Sequence, residues 1–106
     1  KYLDGDNSKL LLPAPVSRKD LTRIQELAVK AFNALDCSGM ARVDFLMSKV
    51  SGNIYINELN TIPGFTRISM YPKMWEISGL SYKDLIDELI KFAFERHQQK
   101  NELKLA

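Results

Sequence analysis

Residues 41–60 read ARVDFLMSKVSGNIYINELN and decide the fold. Two strand-like segments, 41–47 and 54–60, flank a short polar connection at 49–53 that contains Gly52. Segments of this length on either side of a glycine-containing connection are typical of a β-hairpin. The stretch therefore predicts two antiparallel strands at the centre of the chain.

Side chains alternate across each predicted strand, so the pairing of the strands decides which residues share a face. Pairing them about Ser51 sets Asp44 opposite Glu58 and Arg42 opposite Asn60. A slip of one residue would move these side chains to the other face. In this register, one face of the hairpin presents two carboxylates, an amide and a guanidinium close together.

This polar face has two interpretations. Two carboxylates directly opposite each other repel and need a compensating cation. Oxygen ligands from Asp, Glu and Asn suit magnesium together with phosphate oxygens, and Arg42 could hold phosphate or oxyanion charge. These groups are typical of a phosphoryl-transfer site. The alternative is a solvated outer face, which Leu46 and Ile56 would continue as apolar packing.

The loop that follows the acidic strand bears on this choice. It is apolar and contains Pro63 and Gly64. Proline restricts the path of the chain, and glycine lets the backbone approach a ligand closely. The Gly64 N–H could therefore serve an oxyanion, whereas the alternative is a plain proline–glycine turn.

Amphipathic helices are predicted on both sides of the hairpin. Ser17 begins the first helix, and Gly39 ends it. Ser81 begins the second, which runs to about His97. The fold class is therefore α+β, with an antiparallel sheet and flanking helices.

The remaining segments are shorter. Residues 10–12 are expected to form a short strand closed by proline, and residues 61–70 a long loop. Tyr71-Pro72 should stop any regular element, leaving at most one helical turn over 73–78.

Composition excludes several classes of protein. The 106 residues suffice for one domain, and 45% of them are hydrophobic. A net charge of +2, from 15 basic and 13 acidic residues, is too mild to argue for nucleic acid or a membrane surface as a partner. A single cysteine rules out an internal disulfide and fits a reducing cytosol.

Three short motifs of the chain resemble those of one protein family. They are RVDF at 42–45, NELNTIPGFT at 57–66 and SMYP at 69–72. Their order and spacing are similar to those of D-alanine–D-alanine ligases, which are ATP-grasp enzymes. The resemblance also includes Lys1-Tyr2 and GLSY at 79–82, and so covers nearly the whole chain.

The resemblance implies a chemistry for the polar face. The family phosphorylates one D-alanine with ATP, and the amine of a second D-alanine attacks the acyl phosphate. Asp44 would bind one of two Mg²⁺ ions, Glu58 would bridge both, and Asn60 would bind the second, with Mn²⁺ as a possible substitute. Arg42 and the Gly64 N–H would stabilise the tetrahedral oxyanion.

The resemblance also implies residues for substrate binding. Ser69 and the Met70 backbone would receive the carboxylate of the second D-alanine. Lys1 would lie near ATP phosphate, and Tyr2 would close over the substrate. Related resistance ligases commonly carry Arg at the position of Met70, and those that use D-lactate carry His at that of Tyr2. Both residues therefore favour D-alanine as the acceptor.

The chain is accordingly expected to be the C-terminal portion of an ATP-grasp catalytic domain, spanning 1–106. Residues 1–16 would form a mobile loop and short strand, 17–98 the helix, hairpin, substrate loop and second helix, and 99–106 a polar tail. The full-length enzyme would be cytoplasmic and homodimeric and would bind D-alanine and ATP, with no nucleic-acid or membrane partner. The portion alone should be inactive.

Two alternatives stay open. One is another ATP-grasp carboxylate–amine ligase, or a resistance ligase that makes D-alanyl-D-serine or D-alanyl-D-lactate. The other is a non-catalytic interaction unit with a merely solvated acidic hairpin.

Overall fold

The computed structural model describes residues 10–66 and 68–105. Three helices and one two-stranded antiparallel sheet follow each other as α1 (Arg18–Ala34), β1 (Arg42–Met47), β2 (Ile54–Asn60), α2 (Met70–Ile77) and α3 (Tyr82–Leu105). The predicted α+β class, with an antiparallel hairpin and flanking helices, is confirmed.

Side chains that cap the helices explain where two of them begin. The Ser17 hydroxyl accepts a hydrogen bond from the Asp20 N–H at 3.1 Å and so satisfies a free donor of the first turn of α1. The Ser81 hydroxyl accepts from the Asp84 N–H at 3.2 Å at the start of α3. Both predicted caps are confirmed.

The end of α1 differs from the prediction. Asp36 takes the left-handed conformation, with φ of 52°, three residues before Gly39. The Cys37 N–H donates to the Phe32 carbonyl and the Asp36 N–H to the Asn33 carbonyl, the two bonds of a Schellman motif. An Asp in a role usually taken by Gly therefore ends the helix, and Gly39 lies beyond it.

The hairpin has the predicted register where the polar residues lie. Arg42 pairs with Asn60, and Asp44 pairs with Glu58. The connection closes with a hydrogen bond from the Gly52 N–H to the Ser48 carbonyl at 2.9 Å. Gly52 has φ of 75°, a conformation that glycine adopts at little cost.

A β-bulge changes the register immediately after Asp44. Asn57 has no partner, so Phe45 pairs with Ile56 and Leu46 with Tyr55. The prediction that Ile56 continues the face of Leu46 is therefore wrong. An extra residue on one strand shifts the register by one, so the later side chains of that strand lie on the face opposite to the one predicted. Strict alternation along both strands does not include such a shift.

Other expectations about the elements are also wrong. Residues 10–12 form no strand, and they pair with neither strand of the described sheet. Pro72 lies inside the first turn of α2, where its missing N–H would have had no helical partner. Helix α3 continues through 99–105 in place of a polar tail, because that stretch contains no Gly or Pro.

The buried side chains come from the C-terminal half of the chain. Within the described residues, they are Pro63, Tyr71, Pro72 and Leu85, from the loop after β2, from α2 and from α3. Helix α1 buries none of its side chains. The best-packed region therefore supports the proline–glycine loop. None of the described helices is long and apolar enough to cross a membrane.

Candidate functional site

The polar face of the hairpin brings four predicted residues together. Arg42 and Asp44 lie two residues apart on β1, and Glu58 and Asn60 are their direct partners on β2. Directly paired residues project from the same face of a sheet, so all four side chains share one surface. The face that alternation predicted is therefore present in the structure.

Arg42 supplies the positive charge that the two carboxylates require. Its Nε and Nη2 donate to the two carboxylate oxygens of Asp44, at 2.9 and 3.1 Å. Its Nη2 also lies 3.8 Å from Glu58 Oε1. The pair with Asp44 is bidentate and three-quarters shielded from solvent, whereas the Glu58 side chain is 55% exposed. Asp44 is therefore held in place, and Glu58 can turn toward a ligand.

Asn60 links the hairpin to the loop that follows it. Its Oδ1 accepts a hydrogen bond from the Ile62 N–H at 2.9 Å, which forms an Asx-turn. An amide oxygen has two lone pairs, so one remains for a further partner. Asn60 therefore orients the loop and still offers an oxygen beside Glu58.

The loop brings Gly64 and Ser69 into close approach. A Cβ atom at position 64 would lie 3.1 Å from Ser69 Oγ, so only glycine fits there without displacement. Ser69 Oγ is also 3.0 Å from the Thr66 N and 2.7 Å from Thr66 Oγ1. Thr66 belongs to the motif at 57–66, but its contact with Ser69 was not predicted, although hydroxyl residues three positions apart commonly form such turns.

Ser69 stands at the N-cap of α2, but its hydroxyl makes no capping hydrogen bond. It turns back to Thr66 instead. The first backbone N–H groups of α2, from Met70 and Tyr71, are therefore not capped by a side chain, and Pro72 has none. Uncapped N–H groups at a helix N-terminus favour an anion.

Two tyrosine side chains contact the loop at Phe65. The Tyr82 hydroxyl donates to the Phe65 carbonyl at 2.7 Å. The ring of Phe65 lies 5.5 Å from that of Tyr82 and 6.0 Å from that of Tyr71. Tyr82 belongs to the GLSY motif at 79–82, but no spacing rule predicts its contact with Phe65, because the two residues are 17 positions apart.

Burial affects the ionisation of Tyr71, which packs beneath this loop in the first turn of α2. Burial raises the pKa of its phenol above the ordinary value of 10.0, and a hydrogen bond with the Trp75 side chain partly opposes that rise. The phenol is therefore neutral at physiological pH, and its role is packing.

The donor set can be tested against a magnesium ion. No group of three or more His, Cys, Asp or Glu side chains in the described residues is placed to hold a metal. The face offers two carboxylates and one amide oxygen, all hard donors. Magnesium usually binds one or two carboxylates and completes its shell with phosphate oxygens and water. The residues therefore fit a magnesium–phosphate complex, though not a metal cage made of protein alone.

Two predicted site residues, Lys1 and Tyr2, lie outside the described residues. A groove of about 800 Å³ lies elsewhere, between the N-terminal half of α1 and the tip of the hairpin, and includes Arg23 and Tyr55. None of the candidate site residues lines this groove. The described candidate site residues therefore lie outside that groove.

Known proteins share this arrangement. Residues 1–91 match the family described as D-ala D-ala ligase C-terminus. A D-alanine--D-alanine ligase of Thermoanaerobacter sp. (strain X514) is 58% identical over 100 residues, which is 94% of this chain and 28% of that protein. The chain thus spans 28% of the length of this curated relative.

Solved structures agree with the sequence match. The D-alanine-D-alanine ligase from Coxiella burnetii is 50% identical, with a TM-score of 0.82 over 85% of this chain and 26% of its own. The ligase from Bacillus anthracis complexed with ATP is 29% identical, with a TM-score of 0.74 over 81% and 30%. VanG D-Ala:D-Ser ligase from Enterococcus faecalis is 42% identical, with a TM-score of 0.73 over 81% and 26%.

The polar face of the hairpin and the proline–glycine loop after it both lie within the residues that match the ligase family. The chain belongs to the D-alanine–D-alanine ligase family, in which it corresponds to the C-terminal region.

Proposed function

We propose that the full-length protein carrying this chain is an ATP-dependent D-alanine–D-alanine ligase that makes the dipeptide for peptidoglycan precursors. The observation that carries this proposal is the shared face of Arg42, Asp44, Glu58 and Asn60, which continues directly into the Gly64–Ser69 loop. Membership of the ligase family supports it, and so does the ATP complex of the Bacillus anthracis relative.

The first half-reaction transfers the γ-phosphoryl group of ATP to the carboxylate of the first D-alanine. Asp44, Glu58 and Asn60 would hold two Mg²⁺ ions, with Mn²⁺ as a possible substitute, and Glu58 would bridge them. Bound metal neutralises the charge that develops on the transferring phosphoryl group. The bidentate bond from Arg42 fixes the orientation of Asp44, as outer partners of metal ligands commonly do.

In the second half-reaction, the amine of the second D-alanine attacks the acyl phosphate, and the tetrahedral intermediate expels phosphate. Arg42 and the Gly64 N–H would stabilise the oxyanion of this intermediate. The hydrogen bonds of Asn60 and Tyr82 to the loop support that role, because they fix the backbone on both sides of Gly64. Preorganised donors of this kind need little rearrangement during the reaction.

The acceptor would bind at the start of α2. Its carboxylate would receive hydrogen bonds from the Ser69 hydroxyl and the Met70 N–H. The uncapped amides of α2 support this placement, because they favour an anion. Lys1 near ATP phosphate and Tyr2 over the substrate complete the proposed site.

D-alanine is the proposed acceptor, because Met70 and Tyr2 differ from the Arg and His common in resistance ligases. The likeness to the Enterococcus faecalis enzyme makes D-serine the alternative to test. We further propose that the full-length enzyme is a cytoplasmic homodimer, with neither nucleic acid nor membrane as a partner.

A direct assay tests the proposal. Full-length protein is incubated with ATP, Mg²⁺ and D-alanine, and ADP release and dipeptide formation are measured, with D-serine and D-lactate as competing acceptors. We expect ADP release that depends on D-alanine and D-alanyl-D-alanine as the main product. ADP release that requires D-serine or D-lactate would overturn the acceptor assignment, and a lack of ATP turnover would overturn the proposed function.

A further inference from the structure

Ser69 has an unusually well-defined hydroxyl group for a loop residue. Its oxygen lies 3.0 Å from the Thr66 N and 2.7 Å from Thr66 Oγ1. The Ser69 N–H also donates to the Thr66 carbonyl at 3.0 Å, which closes a tight ring between the two residues. A Cβ atom at Gly64 would lie 3.1 Å from the same oxygen, so the Ser69 hydroxyl also packs closely against the Gly64 backbone.

The contacts with Thr66 limit the hydrogen bonds that the Ser69 hydroxyl can make. A serine hydroxyl has one hydrogen to donate and two lone pairs to accept. The Thr66 N–H takes one lone pair. Either hydroxyl can be the donor in the 2.7 Å contact between Thr66 and Ser69. When Thr66 donates, both lone pairs of Ser69 are used, and its hydrogen can only be directed to a third group.

An anion at the start of α2 would favour the arrangement in which the Thr66 hydroxyl donates to the Ser69 hydroxyl. The uncapped first amides of α2 follow Ser69 directly, and their partial positive charge attracts negative charge. An anion there accepts a hydrogen bond but cannot donate one. The Ser69 hydroxyl then gains most by donating to the anion, and the Thr66 hydroxyl is left to donate to Ser69.

We propose that Thr66 is a positioning residue for the acceptor subsite. It donates both its N–H and its O–H to Ser69 Oγ, and so leaves the Ser69 hydrogen for the carboxylate of the acceptor amino acid. This inference rests on the proposed ligase function and identifies a residue outside the direct contacts of that site. Thr66 itself is exposed and need not touch the substrate.

The test uses the full-length protein with Thr66→Val, which keeps the shape of the side chain and removes its hydroxyl, and Thr66→Ser, which restores the hydroxyl. We expect Thr66→Val to raise the KM of the acceptor D-alanine about tenfold, as befits a weakened hydrogen bond to a charged group. The KM of the first D-alanine and kcat should stay within about twofold of the values of the unaltered enzyme. The lost hydrogen bond holds the acceptor equally in the ground state and in the transition state, so its loss weakens binding without slowing the reaction of bound substrate. Thr66→Ser should restore the acceptor KM.

A double-mutant cycle separates this role from a general effect on the loop. If Thr66 acts through Ser69, adding Thr66→Val to Ser69→Ala should raise the acceptor KM no further than Ser69→Ala alone. Additive effects, an unchanged acceptor KM in Thr66→Val, or equal loss in Thr66→Val and Thr66→Ser would each overturn the proposal. Failure of the unaltered enzyme to join D-alanines would overturn the ligase function and this inference together, whereas an active enzyme that is insensitive to Thr66→Val would overturn this inference alone.

Discussion

Arg42 determines how two facing carboxylates can share one surface. Its guanidinium binds both oxygens of Asp44 and approaches Glu58 at 3.8 Å from one nitrogen. Asp44 is thereby fixed, while Glu58 makes only a long contact and keeps 55% of its side chain exposed. Of the two carboxylates, Glu58 is therefore the one that can reorient toward a metal–phosphate complex.

This difference leads to a prediction for Glu58→Gln in the full-length enzyme. We expect D-alanine-dependent ADP release to fall by at least about 100-fold, because the substitution removes a charged ligand of the proposed phosphoryl-transfer site. The stability should change by no more than about 0.5 kcal/mol, since the residue is exposed and its loss relieves repulsion.

Steady-state ADP release and thermal unfolding would measure the two effects. Glu26→Gln, at an exposed position on α1, is the matched control and should leave both unchanged. Full activity of the Glu58→Gln enzyme would contradict the metal-binding role.

Tyr71 provides a second prediction at the scale of one residue. Burial raises the pKa of its phenol above 10.0 in the folded state. The phenol has an ordinary pKa of 10.0 in the unfolded chain and a higher pKa in the folded protein. The stabilisation from burying the neutral phenol is therefore fully present below pH 10.0 and is lost as the pH rises through the folded pKa. Ultraviolet titration of full-length protein with and without Tyr71→Phe isolates this phenol.

We expect the phenolate signal that Tyr71→Phe removes to develop only above pH 10.0 in the folded protein. Denaturant should return it to the ordinary range. Tyr55→Phe replaces an exposed tyrosine and is the control. An equal or lower midpoint for Tyr71 in the folded protein would show that burial does not favour the neutral form.

Helix α3 contacts two different surroundings along its length. Leu85, in its first turn, is 3% exposed, and Tyr82 of the same turn donates a hydrogen bond to the loop at Phe65. Leu103, near its other end, is 77% exposed. The same substitution at both positions therefore separates the effect of packing from that of helix propensity.

We expect Leu85→Ala to lower the free energy of unfolding by about 2–5 kcal/mol and Leu103→Ala to change it by less than about 0.5 kcal/mol. Chemical denaturation of the full-length protein would measure both. Similar losses at the two positions would mean that the exposed half of α3 is packed in the complete protein. Leu27 of α1 is only half-buried in this chain, so Leu27→Ala should cost less than Leu85→Ala.

The elements also show which features a sequence can predict. The caps at Ser17 and Ser81 and the pairing of Asp44 with Glu58 depend on local spacing, and all three were predicted correctly. The bulge at Asn57 was not predicted. Side-chain alternation along each strand does not reveal that one strand contains an extra, unpaired residue.

The site was predictable to a similar extent. The polar face followed from strand alternation, which is local. The bond between Tyr82 and Phe65 depends on how α3 packs against the loop, and no spacing rule connects residues so far apart. The predicted stop at Tyr71-Pro72 is wrong, because proline is tolerated in the first turn of a helix and Pro72 lies in the first turn of α2.

The whole molecule exposes far more surface than its size requires. Its accessible area is 8843 Å², whereas a compact protein of this mass has about 6,000 Å². Its radius of gyration is 16.4 Å, against about 13 Å for a compact chain of this length. Part of the excess is apolar, including Leu46 and Ile56 on the hairpin and Phe94 on α3.

This exposure predicts weak stability for the 106-residue chain by itself. Within the described residues only Tyr71 and Leu85 form a buried apolar core, which is too little to offset the conformational entropy of folding. We expect the free energy of unfolding to lie well below the about 5 kcal/mol of ordinary domains, with a broad denaturation transition and binding of a hydrophobic dye.

The full-length protein is the comparison for this measurement. The chain spans 28% of the length of a curated relative. We expect the rest of a full-length protein to cover exposed apolar side chains of the hairpin, such as Leu46 and Ile56. Full-length protein should therefore bind little dye and protect the amides of β1 and β2 from hydrogen exchange. A sharp transition above about 5 kcal/mol for the isolated chain would contradict this prediction, because it would show that the loop, α2 and α3 suffice to hold the site in place.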